Sequence, residues 1–291
     1  MFQSRRIGAA TLTRVLEYSG PTHDPLFLFP AFQEDVVQAN PWLAPHHWVP
    51  AMRKFVVTLQ LWVVQAGGNT IVVDTGVGNF KPRPHVPRMD RLNNLVLPWL
   101  HAAGIPRESV THVVLTHLHG DHVGWNTLWE DERWVPTFPN ARYLAPREDM
   151  RYFRRAYEEN PQRNLAYEDS VQPIVREGLL ELFDPGEELA GCLAVEAAPG
   201  HTPGQVNFRL RSEGEEALFC GDVMHNAIQI AHPQWNSGYC LAGDTAFATR
   251  MAVLERAQRR GALIVPAHFG APYCGYVRRE GPGYAFAPAP W

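Results

Sequence analysis

An α+β fold of layered sheets flanked by helices is what this sequence predicts, and three observations carry the expectation. Short apolar runs of strand length mix with longer amphipathic stretches without a strict β-α-β alternation, which speaks against a Rossmann-type order. Hydrophobic residues make up 45% of the 291 positions and charged ones 19%, enough apolar material for a large core. No linker composition separates two units and no repeat recurs at a fixed period, so residues 1–291 are expected to form a single domain.

In chain order, the first twenty residues hold three arginines but no uninterrupted apolar stretch followed by a small-residue cleavage site, so export is not expected. Residues 20–50 are rich in Pro, Gly and aromatics and are expected to be irregular, lying over the core. The apolar runs 55–64 and 70–73 flank the turn-like Ala66-Gly67-Gly68-Asn69 and predict a β-hairpin, which Asp74, Thr75 and Gly76 follow directly. A helix is expected over 91–103, a strand over 110–115 and a second helix over 146–159. Strands follow at 192–198 and 217–220, then a helix at 245–260 and a strand at 262–265. Residues 270–291, ending in GPGYAFAPAPW, are expected to be a second irregular covering segment.

A net charge of -4 without a long Lys/Arg run gives no field for holding a phosphate backbone, so nucleic acid is not an expected partner. Nowhere are there roughly 18 consecutive apolar residues, so no membrane span is expected. Cys192, Cys220, Cys240 and Cys274 show neither C-x-x-C spacing nor a dense framework, and read as reduced, buried thiols of a cytoplasmic protein. A homodimer is compatible with all of this.

Chemistry concentrates in Thr116-His117-Leu118-His119-Gly120-Asp121-His122, where three imidazoles and a carboxylate follow an apolar strand. Extended geometry aims alternate side chains at one face, so His117 and His119 can share a metal ion while Asp121 and His122 reach a second. Four donors cannot complete two metal shells, because each ion takes about four to five. Three later residues stand at or just beyond the ends of apolar strands: His201 after Gly200, Asp222 after Gly221, and His268 in Val265-Pro266-Ala267-His268. Loops at one sheet edge can bring such distant residues together.

An Asp after an early strand, His-x-His-x-Asp-His, a Gly-His, a Gly-Asp and a late His occur here in order, as Asp74, His117 to His122, His201, Asp222 and His268. Over about residues 55–270 the chain thereby resembles the metallo-β-lactamase-fold superfamily. The resemblance implies a four-layer αββα sandwich with two divalent metal ions at one rim of the paired sheets. It puts His117, His119 and His201 on one ion, Asp121, His122 and His268 on the other, and the Asp222 carboxylate between them, with Asp74 orienting ligands. Zinc is the expected metal, with Mn, Fe or Co as alternatives that the same donors accept. Such a centre lowers the pKa of a shared water from about 15.7 toward 7, and the resulting hydroxide attacks an electrophilic carbonyl or phosphoryl group.

Within the superfamily, zinc β-lactamases of the best-known type have a cysteine where Asp222 stands, and Cys220 lies two residues too early to replace it. Glyoxalase II-like thioesterases carry a sizeable C-terminal helical domain and nucleases an insertion or basic arm, for which the short stretches after His268 and between Asp222 and His268 leave little room. The segment 221–226, with Gln229, His232 to Trp235 and 244–250, resembles the lactonase-like and methyl-parathion-hydrolase-like branch. Acyl-homoserine-lactone lactonases place a substrate-contacting Tyr three residues after the bridging Asp, where this chain has His225. Asp121 and His225 are therefore the candidate catalytic residues, and Trp125 and Phe269 are expected to line an apolar pocket. The expected activity is hydrolysis of a carboxylic ester bond, most of all in a lactone, with a small-molecule substrate and no cofactor but the metals. Organophosphate triester or thioester hydrolysis on the same site is the alternative. A metal-binding sensor module without turnover is the non-enzymatic one, which the intact ligand set disfavours.

Overall fold

In the computed structural model, which describes residues 1–291, the predicted strand at 55–64 extends over Lys54–Ala66 and ten of its residues in a row are buried. A strand buried on both sides must belong to a sheet covered on both faces. Accordingly Trp62 and Val64 pack into the cluster between the two sheets, while Leu61 and Val63 pack on the opposite face.

The sheet it belongs to has eight strands. Phe2–Ile7, Ala10–His23, Lys54–Ala66 and Asn69–Val73 follow one another antiparallel, then His112–Val114, Arg142–Pro146 and Leu180–Phe183 continue in parallel, with Trp48–Val49 paired beside Lys54–Ala66. The second sheet has seven strands in sequence order, from Glu188–Leu189 to Gly283–Pro288. Only Glu215–Gly221 and Leu263–Pro266 run parallel there. Val73, Val114 and Leu144 of the first sheet meet Phe208, Phe219 and Val265 of the second in a shared core.

Outside the first sheet, helices Val96–Ala102 and Arg147–Glu159 contribute Leu100 and Phe153 to a second cluster. Outside the second, helix Gly243–Arg260 contributes Val253, Leu254 and Ala257 to a third. The stacking is helix, sheet, sheet, helix: the expected αββα sandwich. No helix is long and apolar enough to cross a membrane.

Three expectations need correction. The helix expected over 91–103 starts only at Val96, because Asn79 and Asn94 hold the preceding residues as a loop through reciprocal amide–backbone hydrogen bonds of 2.7 and 2.8 Å, and Arg91 is left-handed (φ 49). Segment 20–50 is not simply irregular: the strand Ala10–His23 enters it, and Asp24 caps the short helix Pro25–Leu28 by accepting the Leu26 N–H at 3.1 Å. Leu28, Phe29, Leu43 and Trp48 of this segment form a core of their own with Phe55 and Trp235. Residues 270–291 contain the hairpin Gly275–Glu280 and Gly283–Pro288, whose Val277 and Tyr284 pack under the third cluster.

The parallel strands of both sheets end at the same rim. Asp74 follows Asn69–Val73, Thr116 and His117 lie just beyond His112–Val114, Asp222 follows Glu215–Gly221, and His268 lies just beyond Leu263–Pro266.

Candidate metal centre

All seven expected donors converge there. One donor atom each from His117, His119, His201 and Asp222 lies within 4.8 Å of the others, and a second group joins Asp121, His122 and His268 by the same measure. Asp222 ties the groups together: its Oδ2 is 3.3 Å from His201 Nε2 and 3.1 Å from His268 Nε2, and its Oδ1 is 3.1 Å from His122 Nε2.

The loops that carry these donors are fixed by a few polar contacts. Asp74 accepts the Thr116 N–H and hydroxyl, both at 2.7 Å, and the Nδ1–H of His122 at 2.9 Å. A carboxylate only accepts, so Nδ1 of His122 carries a proton and Nε2 is the nitrogen turned toward the other donors. Thr116, having given its proton to Asp74, accepts from Nδ1 of His117 at 3.1 Å, which likewise frees His117 Nε2. His268 donates Nδ1–H to the Thr58 carbonyl at 2.9 Å, with the same result. Gly221 (φ +44) lets the second sheet approach, since a Cβ there would sit 2.8 Å from the Thr116 hydroxyl oxygen. Gly200 (φ +130) does the same for His201, where a Cβ would lie 2.3 Å from the Ala246 nitrogen.

A cation fits this donor set. Nδ1 of His119 faces His117 Nε2 at 3.1 Å and His201 Nε2 at 2.8 Å, three ring nitrogens aimed at one another beside Oδ2 of Asp222. Two further atoms, His122 Nε2 and Asp222 Oδ1, are buried 3.1 Å apart without the geometry of a hydrogen bond. Burial holds His117 and His201 well below the usual histidine range and brings His119 to about 4, so all three present neutral, metal-competent rings. Burial acts the same way on His122, but the Asp222, Asp74 and Asp121 carboxylates outweigh it and hold that ring well above the range. Asp222 is opposed by burial yet kept far below the carboxylate range by His122 and His268.

The centre forms the floor of a cavity of about 260 Å³, which His119, Asp121, His201, Asp222, His225 and His268 all reach. His225 is buried, with Nε2 3.3 Å from Asp222 Oδ2, its ring stacked on Tyr239 at 5.8 Å between centroids, and Nδ1 buried without a partner. The apolar wall is not the expected one. Trp125 is buried away from the cavity, donating its indole N–H to Glu17 at 2.7 Å, and Phe269 packs against His47 and Phe286. Val86, Met89, Leu118, Phe153, Leu165 and Ala166 take their place.

Sequence reasoning missed two carboxylates behind the site. Asp149 accepts from the Leu118 N–H (3.2 Å), the Thr202 hydroxyl (2.9 Å) and the Gly204 N–H (2.6 Å), locking the His117–His119 loop to that of His201. Glu17 accepts from the Val77 and Gly78 N–H groups and holds the loop beyond Asp74. It missed Tyr239 and Arg88 of the cavity wall as well. The buried Cys220 packs in the core behind Asp222, and Cys240 Sγ lies 3.9 Å from Nδ1 of His201.

Known proteins share this arrangement of sheets. The chain is similar to the probable metallo-hydrolase YybB of Bacillus subtilis (strain 168), 24% identical over 180 residues that span 61% of this chain and 67% of that one. Its fold is similar to that of AbOPH, a hydrolase in the beta lactamase superfamily, with a TM-score of 0.83 and 22% identity, covering 100% of this chain and 98% of the other. AidC, a dizinc quorum-quenching lactonase, superposes with a TM-score of 0.77 at 20% identity, covering 100% and 98%. At these identities the structural likeness is one of fold. The sequence profile described as the Metallo-beta-lactamase superfamily matches residues 60–268, well over half of the chain. This chain therefore belongs to the metallo-beta-lactamase superfamily, and its His/Asp cluster is suited to a pair of metal ions.

Proposed function

We propose that this chain hydrolyses a carboxylic ester bond, in a lactone before other esters, and that it does so with two zinc ions. The observation that carries the reading is the placing of Asp222 between two three-residue donor groups at the floor of a cavity whose wall is partly apolar. His117, His119 and His201 would hold one ion and Asp121, His122 and His268 the other, with Asp222 shared. When bound, such ions acidify water at neutral pH and polarise an acyl oxygen, which is the hydrolytic chemistry that needs no serine or cysteine nucleophile.

The residues of the chain supply the remainder. Leu118, Phe153, Leu165 and Ala166 would take the apolar acyl portion and exclude water from it. His225, kept neutral by burial, would orient the scissile group beside Asp222. Asp121 is the more exposed of the two aspartates, at 20% of its side chain against 4%; burial opposes its charge, but His122 and His268 keep it ionised, so it would take a proton from water beside the centre. The similarly folded AidC, a dizinc lactonase, supports the choice of substrate and metal.

The test is metal analysis and a hydrolysis panel on one preparation. The expected result is a kcat/KM for the best lactone or aryl ester at least about tenfold above that for the best phosphotriester, roughly 1.4 kcal/mol in barrier. Efficient turnover of a phosphotriester or thioester with no lactone or ester opened would replace the substrate class and leave the centre standing.

A further inference from the structure

Basic side chains stand among the apolar ones in the cavity wall. Arg83, Arg88 and Arg163 line it together with His85, whereas its only carboxylates are Asp121 and Asp222 of the candidate metal centre. Arg83 is already neutralised, its two terminal nitrogens lying 2.7 and 2.9 Å from the oxygens of Asp169. Arg88 is different. Its Nη2 donates to the Tyr239 hydroxyl at 2.8 Å, no carboxylate pairs with it, and its Nε is buried without a hydrogen-bond partner. The hydroxyl of Tyr239 is also 3.1 Å from His23 Nε2, and its ring stacks on His225, so the guanidinium is held beside the His225 wall.

A cation that is fixed in place and partly desolvated, with no anion of its own, costs free energy unless something answers it. Building on the ester-hydrolase reading, we propose that the substrate carries a carboxylate apart from its scissile bond and that Arg88 pairs with it. A guanidinium matches the two oxygens of a carboxylate in a plane, whereas an ammonium offers a point charge. The apolar wall takes the body of the same molecule, so the substrate class is an ester or lactone with an apolar chain and a separate acid group.

Two anilides of equal chain length test this by binding alone: adipic acid monoanilide, which ends in a carboxylate, and hexanoic acid anilide, which does not. Titrated calorimetrically into the metal-loaded protein at low salt, the carboxylate ligand should bind at least about tenfold more tightly. Arg88→Gln should erase that advantage and Arg88→Lys should keep part of it. Hexanoic acid anilide affinity and metal content should stay level in both variants, which also shows that they are folded. Equal binding of the two ligands, or an advantage that survives Arg88→Gln, overturns the assignment. The 4-nitrophenyl esters of hexanoic and adipic acid separate this inference from the reading beneath it. If both are hydrolysed alike with no dependence on Arg88, the anion site is wrong and the ester reading stands. Carboxylate-selective binding lost in Arg88→Gln, with neither ester hydrolysed, supports Arg88 and removes the ester reading.

Discussion

Oδ2 of Asp74 lies 2.9 Å from Nδ1 of His122, and through that contact a residue outside the donor set fixes which nitrogen of a donor is free. Asparagine has one oxygen for the three donors that Asp74 serves, and its amide would face a hydrogen of Thr116 or His122. Asp74→Asn should weaken metal affinity by about ten- to a hundredfold, read by chelator competition. Unchanged affinity would mean that the loop alone orients His122.

Protein purified without chelator should contain two metal ions per chain by elemental analysis. Asp222→Ala should deplete both, since its oxygens face His122, His201 and His268 together. Cys220→Ala should leave the content near two, because that thiol is packed in the core rather than aimed at the donors. A single tightly held ion with full activity would defeat the binuclear reading.

For His225, replacement by phenylalanine keeps a ring at the Tyr239 stack and removes the polar atoms beside Asp222. The hydrolysis rate should fall by about tenfold to a thousandfold, roughly 1.4 to 4 kcal/mol, with metals retained. Equal kinetics would make His225 a packing residue.

Glu17 offers a prediction in pH. Burial pushes its carboxyl up to about 7, although the Val77 and Gly78 N–H groups and the Trp125 indole favour the ionised form. With a folded pKa above the ordinary 4.5, its contribution to stability is fully present below that value and is lost as the pH rises through about 7. Between pH 4 and 8 the stability of the wild type should fall relative to Glu17→Gln by on the order of 3 kcal/mol, measured by denaturant unfolding at several pH values. A difference that stays constant with pH would show that Glu17 does not titrate in this range.

The donors were legible because each announces itself locally. His117 to His122 crowd one turn, and His201, Asp222 and His268 each stand where an apolar run stops. Asp149 carries no such mark, for an acid in the first turn of a helix is what many helices have. Glu17 stands in a long N-terminal strand with nothing beside it in sequence to show that it reaches Val77. The cavity wall was read wrongly for a related reason: Trp125 and Phe269 are near the motif in sequence, whereas Val86, Phe153 and Tyr239 arrive from loops and a helix that only tertiary packing brings together. The C-terminal hairpin was hidden by composition. Gly281-Pro282-Gly283 is a turn signal, but the strands beside it are short and mixed in polarity.

The donor atoms are contributed by both halves of the sandwich. His117, His119, Asp121 and His122 hang from the sheet that begins at Phe2, and His201, Asp222 and His268 from the one that ends at Pro288. Occupying the centre would therefore rivet the sheets to each other at their rim, and separating them would require releasing the ions. Folding and metal uptake become one coupled equilibrium: at a free metal concentration a thousand times Kd, a single such rivet adds about 4.1 kcal/mol to the cost of unfolding. The melting temperature should consequently drop when a chelator strips the protein and climb again with the free-ion concentration as metal is returned.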